Sequence, residues 1–542
     1  MNQPGTIAFV SFENEFAPVG GLAAVMKRLP PEVSRWCNTI TITPCFQNIE
    51  STKRAMRDGQ ITGTRLAGRV FHNGQFHDFQ VLKARPIKDR PSYAMYLVKS
   101  DAFFLGGENP YIDTWRHDAL YSDAMFLCKA VPAVLGLLDG AAKPPYKVSL
   151  HDWETALVAE TMKLGPLADC YLTLHNVYDT SLKGDPHGQT VLQHCIPLMR
   201  GLSAVSEQYA IELTTDVLQR NCLAEKIQSQ LAGRAIVGIN NGNFTPLSFP
   251  AGVKDVDQIV ALKNDARLAF TRLLLNRDDI APKWGNKIDL AADDKPIFLV
   301  FGRDDPKQKG FDVAAAAIYL LLQRVGAHIG DFIFAPIPGP NGLDSIAYLE
   351  DLCNAFPGNV MVFPFRLAAG YQELQKAASY IIMPSYYEPF GAANEGYANG
   401  VPVIARATGG LIQQVCPVNA MELPPGVAAV VKRYHGDAAK PTGFLYREHP
   451  STETEENWKY LLSTKFEERR PIQEPVNKLN PVFWSMVDEL ALVLGKAAAY
   501  YKNKDGYCRL IVNGISLFNE FTWEKSARQY VEKLFGLAST QP

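Results

Sequence analysis

Short runs of β-branched and aromatic residues recur along this 542-residue chain, and stretches with helical spacing separate them. In the first half the runs are 7–12, 39–43, 93–98, 148–150, 170–174 and 235–239, with helical patterns at 119–138 and 207–221. In the second half they are 297–301, 332–335, 360–363, 380–383 and 401–404, separated by patterns such as 313–322 and 371–378. Apolar runs without polar alternation suit strands buried on both faces, and strands alternating with helices predict βαβ crossovers and parallel sheets. The fold class expected is therefore α/β, with two doubly wound, Rossmann-like domains facing a central cleft.

The length is too great for one core and predicts two large domains. The polar, proline-containing stretch 281–296 reads as the linker. It divides the chain into an N-terminal domain, 1–285, and a C-terminal domain, 286–515. A last segment, 516–542, is expected to pack back on the first domain as a helix, with 517–537 as one long helical pattern. Residues 436–480 are rich in Pro, Glu, Lys and Thr and read as a loop-rich insertion with little core.

Composition narrows the function classes. The chain is 47% hydrophobic and 20% charged, with a net charge of −2, so no broad positive field favours nucleic acid or an anionic membrane. Nine scattered cysteines, without a Cys-x-x-Cys pair, suit a reducing cytoplasm. The amino terminus lacks the pattern of a signal peptide, and no run reads as long enough to cross a bilayer. No His-x-x-x-His or carboxylate cluster has metal-ligand spacing, so neither metal nor cofactor is expected.

The chemistry concentrates just past strand ends. In open α/β sheets, ligands bind outside the carboxyl ends of strands. Residues 380–411 place Glu388 in Pro-Ser-Tyr-Tyr-Glu-Pro-Phe-Gly, then Glu395 on a short helix, then the turn Thr408-Gly409-Gly410. Carboxylates beside the backbone N–H groups of Phe390, Gly391 and Ala392 can hold sugar hydroxyls and phosphate together. Arg303 ends another strand, and Gln308-Lys309-Gly310 follows it. Two cations on such a loop can neutralise a diphosphate.

The first half offers matching positions. Gly20-Gly21 opens a helix after strand 7–12, where backbone can approach an anion closely. Leu150-His151-Asp152-Trp153-Glu154 and Leu174-His175-Asn176 follow strands, as does Gly238-Ile239-Asn240-Asn241-Gly242. An imidazole can donate to one hydroxyl and accept from another.

Taken in order, these strings resemble the motifs of GT-B glycosyltransferases, most closely the glycogen and starch synthases. Phe521-Thr522-Trp523-Glu524-Lys525-Ser526-Ala527 resembles their C-terminal Ser-Trp-x-x-x-Ala helix. The resemblance runs from about residue 7 to residue 535. It implies retaining transfer of glucose from ADP- or UDP-glucose to a glucan. Arg303 and Lys309 would stabilise the departing diphosphate, Glu388 would fix the donor sugar, and His151 and Asn241 would position it. Gly20, Gly21, Phe390, Gly391, Ala392, Glu395, Thr408, Gly409 and Gly410 would line the donor site. Asp152, His175 and Asn176 would lie near sugar or acceptor. The implied partners are a nucleotide sugar and a glucan or other sugar acceptor, with a homo-oligomer open.

Three departures accompany the resemblance. Pro18 stands where the family has a lysine before Gly-Gly. The loop from Arg303 to Lys309 is one residue longer. One residue fewer separates Glu388 from Glu395. They keep open a relative acting on a small-molecule or protein acceptor, and a non-catalytic sugar-binding relative.

Overall fold

The computed structural model describes residues 5–538, apart from 91, 112–117, 139–141, 143, 163–167, 289, 291–294, 340–341, 368, 438–439, 465–471 and 473–479. The chain forms two compact units. The first comprises 1–215, 223–244 and 521–542, and the second comprises 216–222 and 245–520.

The first unit is built on a nine-stranded sheet. Its strands are β1 (Ile7–Val10), β2 (Thr39–Pro44), β3 (Ile61–His72), β4 (Gln75–Ala84), β5 (Tyr93–Lys99), β6 (Tyr146–His151), β7 (Ala168–Leu174), β8 (Gly201–Ala204) and β9 (Ile236–Gly238). Their order is β3-β4-β5-β2-β1-β6-β7-β8-β9. All neighbours are parallel except the antiparallel β3–β4 and β4–β5 pairs. The central strand β1 is buried throughout, as its sequence Ile-Ala-Phe-Val requires. The order reverses between β1 and β6, which makes their carboxyl ends the topological switch point.

The second unit carries a six-stranded parallel sheet. Its strands are β10 (Ile297–Arg303), β11 (Asp331–Ile337), β12 (Val360–Val362), β13 (Tyr380–Met383), β14 (Val403–Arg406) and β15 (Gly443–Tyr446). The order β12-β11-β10-β13-β14-β15 reverses between β10 and β13. Register at that junction is pinned by aromatic stacking. Phe298 pairs with both Phe332 and Tyr380, with ring centroids 5.0 and 5.5 Å apart and interplanar angles of 11° and 17°. Such pairs contribute about 0.5–1.5 kcal/mol each beyond area burial.

Several sequence expectations change. The chain passes into the second unit between Phe244 and Thr245, ahead of the stretch 281–296. Within that stretch, Trp284 bridges Val362 at the end of β12, so its polar, proline-containing character marks a surface segment of one unit. Residues 289 and 291–294 lie outside the described residues. The described residues of 436–480 hold more core than composition suggested, while 438–439, 465–471 and 473–479 lie outside them. β15 is fully buried against β14, and Trp458 is 0% exposed. The charged residues there are partly internal: Glu448 forms a buried two-pronged pair with Arg406.

The carboxyl-terminal pattern 517–537 is not one helix. The helix Lys504–Phe518 ends in the second unit, and Trp523–Gln529 restarts with Thr522 capping Lys525 N–H. Trp523 and Ser526 anchor this second piece on the first unit. Trp523 Nε1 donates to Asn243 O at 2.8 Å, and Ser526 Oγ donates to Asn240 O at 2.6 Å. The helix Ala119–Leu137 has a mean hydropathy of 1.4 and is long and apolar enough to cross a membrane. It contains the buried Asp123, which accepts from Phe104 N–H, and packs as a core helix of the first unit.

Candidate active site

In the second unit, the loops leaving β10 and β13 are bound tightly to each other. Tyr386 N–H donates to Gln308 O at 2.7 Å. Gly310 lies at φ +63°, and a Cβ there would sit 2.1 Å from Pro384 O. Glycine at this position thus serves both the left-handed turn and the close approach. The result places Lys309 Nζ 2.7 Å from Glu388 Oε2, which also accepts from Ser385 Oγ at 3.0 Å. Glu388 is 6% exposed. Burial pushes the nearby Glu395 carboxyl up, opposed by a bond to Gln375 and by the Lys309 charge. One lysine therefore faces both glutamates.

Arg303 is the last residue of β10, beside this pair on the adjacent strand end. Its side chain is exposed and makes no hydrogen bond or ion pair among the described residues. Just behind it, Asp304 accepts from Ser345 Oγ at 2.5 Å, and burial with the nearby Asp312 and Asp305 pushes its carboxyl up to about 6. A cation, a paired cation and two carboxylates thus flank a switch point. That arrangement suits an anionic group carrying hydroxyls.

The glycines of the 391 and 408–410 turns each answer a packing demand. Gly409, at φ +46°, brings its Cα against Glu388: a Cβ would lie 2.1 Å from Glu388 O. Gly410 N–H donates to that same carbonyl at 3.0 Å. A Cβ on Gly391 would meet Leu411 Cδ2 at 2.5 Å. These glycines let the β13 and β14 loops pack together and so hold Glu388. Phe390 and Thr408 lie in the same packed layer, both buried, and Ala392 precedes the six-residue helix Ala393–Ala398.

In the first unit, His151 ends β6 with 0% exposure. Its Nε2 lies 3.2 Å from Ser149 Oγ, and its Nδ1 lies 2.8 Å from His175 Nε2. Phe9 stacks on the ring at 5.8 Å. Both nitrogens are engaged, so His151 is a buried anchor, and the sugar-contact role expected for it is not open in this arrangement. The less enclosed His175 is the imidazole at the edge of the pair. Burial holds His175 down at about 3, and burial with the His175 neighbour holds His151 well below its ordinary value.

Asp152 fixes this strand end. Its Oδ1 accepts from His175 N–H at 2.7 Å and Asn176 N–H at 3.4 Å. It sits at φ +59°, ψ −177°, a region costly for a residue with a Cβ. Burial, with Glu13 nearby, raises its carboxyl to about 7. The Glu154 carboxyl is raised well above its ordinary value by burial and by Asp152.

Asn241 is 4% exposed and donates its N–H to Val205 O at 3.2 Å. The neighbouring Gly242 is explained by packing, because a Cβ there would lie 2.5 Å from Trp523 N. Gly20 and Gly21 follow β1, but the Gly20 N–H is not open to an anion. It donates to Glu13 Oε2 at 2.9 Å, as the Val19 N–H does at 3.0 Å. Sequence reasoning passed over Glu13, Tyr111, Ser385 and Tyr386. Only Glu13 had a signal, as an acid just past the end of a central strand.

A family model described as the starch synthase catalytic domain matches residues 6–220. A second, described as family 4 glycosyltransferase in conflict systems, matches 267–479. The chain is 25% identical to the glycogen synthase of Thermotoga maritima, covering 97% of each protein. It is 26% identical to glycogen synthase 2 of Geobacter sulfurreducens, covering 74% of this chain and 83% of that one. Its fold matches the catalytic domain of starch synthase IV from Arabidopsis thaliana, solved bound to ADP and acarbose. That match has a TM-score of 0.60 and 17% identity, and covers 95% of this chain and 100% of the other.

Proposed function

Because the chain is a GT-B glycosyltransferase of the glycogen and starch synthase type, we propose that it transfers glucose from a nucleoside-diphosphate glucose to a glucan, with retention at the anomeric carbon. The observation that carries this reading is the Lys309–Glu388 pair, 2.7 Å apart at the β10/β13 switch point with Arg303 on the neighbouring strand end. The glycogen synthases aligned along nearly the whole chain support the glucan acceptor.

Each residue then has a physical task. Arg303 and Lys309 stabilise the negative charge that grows on the diphosphate as the glycosidic bond breaks, the electrostatic term that commonly dominates. Glu388 accepts from hydroxyls of the donor sugar and tethers Lys309. Glu395 is held less charged by burial and is suited to hydrogen bonding with a neutral sugar. Asp152, His175 and Asn176 form a rigid polar rim on the first unit, suited to hydroxyls. No resident cofactor or metal is proposed, because two side-chain cations already answer the diphosphate.

The test offers ADP-glucose and UDP-glucose with and without glycogen, following released nucleoside diphosphate, glucan length and the configuration of the new linkage. Glycogen-dependent release with α-linked extension is the expected result. Release indifferent to glycogen would move the acceptor to a small molecule or protein. Absence of both turnover and nucleotide binding would remove the catalytic reading.

A further inference from the structure

Glu395 is held from behind by a chain of side-chain amides within the second unit. The short helix Ala393–Ala398 that carries it ends against Ser248 and Phe249, whose N–H groups both donate to Ala398 O at 2.8 Å. The buried Asn399 follows. Its Nδ2 donates to Glu395 O at 2.9 Å and to Gln375 Oε1 at 3.2 Å, and its Oδ1 accepts from Ser248 Oγ at 2.7 Å.

One carbonyl fixes the direction of this chain. Glu395 O can only accept, so the Asn399 amide turns its nitrogen toward it. The second hydrogen of that nitrogen needs an acceptor, and Gln375 supplies Oε1. The Gln375 nitrogen therefore faces the other way, where it donates to Tyr371 OH at 3.3 Å and to the Glu395 carboxylate. Gln375 is buried on the helix Tyr371–Ala377, which Lys263 Nζ pins at its end by donating to Ala378 O at 2.6 Å. The same glutamate is thus gripped twice, at its backbone by Asn399 and at its carboxylate by Gln375.

The second grip has an electrical consequence. Burial disfavours the charged form of Glu395, and two groups work against it, the Gln375 N–H and the Lys309 charge. Tyr371 stays neutral beside them, because burial and the Glu395 charge hold its hydroxyl well above its ordinary value.

We propose that Gln375, turned by Asn399, is a positioning residue of the donor site, whose amide N–H aims the Glu395 carboxylate and favours its ionised form. The donor part rests on the reading above; the amide chain stands without it.

Two measurements on the full chain test it. In the first, urea unfolding of wild type and Gln375→Met is compared at pH 4 and pH 8, with and without Glu395→Gln. Glu395 titrates above the ordinary carboxylate range, so it is mostly protonated at pH 4 and ionised at pH 8. The fold-change in unfolding constant caused by Gln375→Met should be about fivefold or more larger at pH 8, because a hydrogen bond to a charged group exceeds a neutral one. In the Glu395→Gln background that difference should vanish, which separates Glu395 from the buried Lys263, held down at about 7 by burial and by Arg267. Equal effects at the two pH values, or a difference that survives Glu395→Gln, overturn the proposal whatever the donor. The reciprocal exchange needs no Gln375→Met protein to fold. Gln375→Glu alone sets two carboxylates face to face, and adding Glu395→Gln restores one amide and one carboxylate. The exchange should recover most of the stability that Gln375→Glu loses at pH 8, and no recovery overturns the contact.

In the second measurement, donor turnover with glycogen is followed against pH in wild type, Gln375→Met and Glu395→Gln. The limb of kcat/KM that Glu395→Gln abolishes should move to higher pH in Gln375→Met. A change that only loosened the fold would lower the rate alike at every pH. A limb that stays in place, or none lost in Glu395→Gln, overturns the donor part. If wild type turns over neither ADP-glucose nor UDP-glucose, the donor reading fails, and the unfolding constants still decide whether Gln375 holds Glu395.

Discussion

Lys309 Nζ lies 2.7 Å from Glu388 Oε2, joining the loops that follow β10 and β13 at the point where strand order reverses. The pair is enclosed, with side-chain exposures of 19% and 7%. Removing one partner strands the other. Lys309→Met is therefore expected to lower stability by about 3 kcal/mol, the lower end for a broken buried pair. Glu388→Gln in the same background should recover most of that loss and none of the transfer activity. Urea unfolding and donor turnover, measured on the single and double variants, check both parts.

Arg303 presents the opposite case. It is exposed and has no partner among the described residues, so it costs nothing to remove from the folded chain. Arg303→Ala should leave stability within about 0.5 kcal/mol of wild type, as ordinary surface substitutions do. Transfer should fall by about a hundredfold, the size of one lost preorganised electrostatic contact. A near-normal rate would remove Arg303 from the mechanism.

Gly310 tests whether Lys309 is held by its loop. Gly310→Ala meets Pro384 O at 2.1 Å and a φ of +63°, so the β10 and β13 loops have to part. A stability loss of about 1–3 kcal/mol is expected from strain at such a position. Turnover should drop with it, because Lys309 moves away from Glu388. Gly21→Ala, with open space around its Cβ, is the control and should fold as wild type does.

Much of this was legible beforehand for a physical reason. Buried parallel strands write themselves as continuous apolar runs, so Ile7–Val10, Ile297–Arg303 and Tyr380–Met383 were readable, and residues just past their ends followed. β15 was not readable, because only four residues, Gly443–Tyr446, stand amid charged neighbours whose burial depends on distant partners such as Arg406. The motif glycines illustrate the same divide. Sequence marks Gly409, Gly410 and Gly242 as special, but it does not say whether a ligand or another loop needs the space. Here Glu388, Phe390 and Trp523 occupy it, in that order for Gly409, Gly410 and Gly242. Enclosure was equally hidden for His151, whose neighbours Phe9 and His175 come from different strands.

The His151–His175 pair and the Asp152–Glu154 carboxyls impose opposing pH dependences on stability. Both histidines stay neutral when folded, His175 down to about 3. Between that value and about 6.5 the unfolded chain binds the extra protons, so their contribution is complete above about 6.5 and is lost as pH falls. The carboxyls behave in reverse. Asp152 titrates at about 7 and Glu154 is raised well above its ordinary value, so the folded chain binds the extra protons. That contribution is present below the ordinary carboxylate range and is lost as pH rises through about 7. From about pH 4.5 to 6.5 the two effects offset each other, and the wild type should show little slope from this cluster. His175→Gln removes one histidine, so its stability, relative to wild type, should rise as pH falls, by up to about 1.4 kcal/mol per pH unit. Asp152→Asn keeps an oxygen for the His175 N–H, loses the carboxyl proton, and should tilt the other way by a similar amount. Urea denaturation of the three proteins at pH 4.5, 5.5 and 6.5 reads the slopes, and parallel curves for the two variants would refute the opposition.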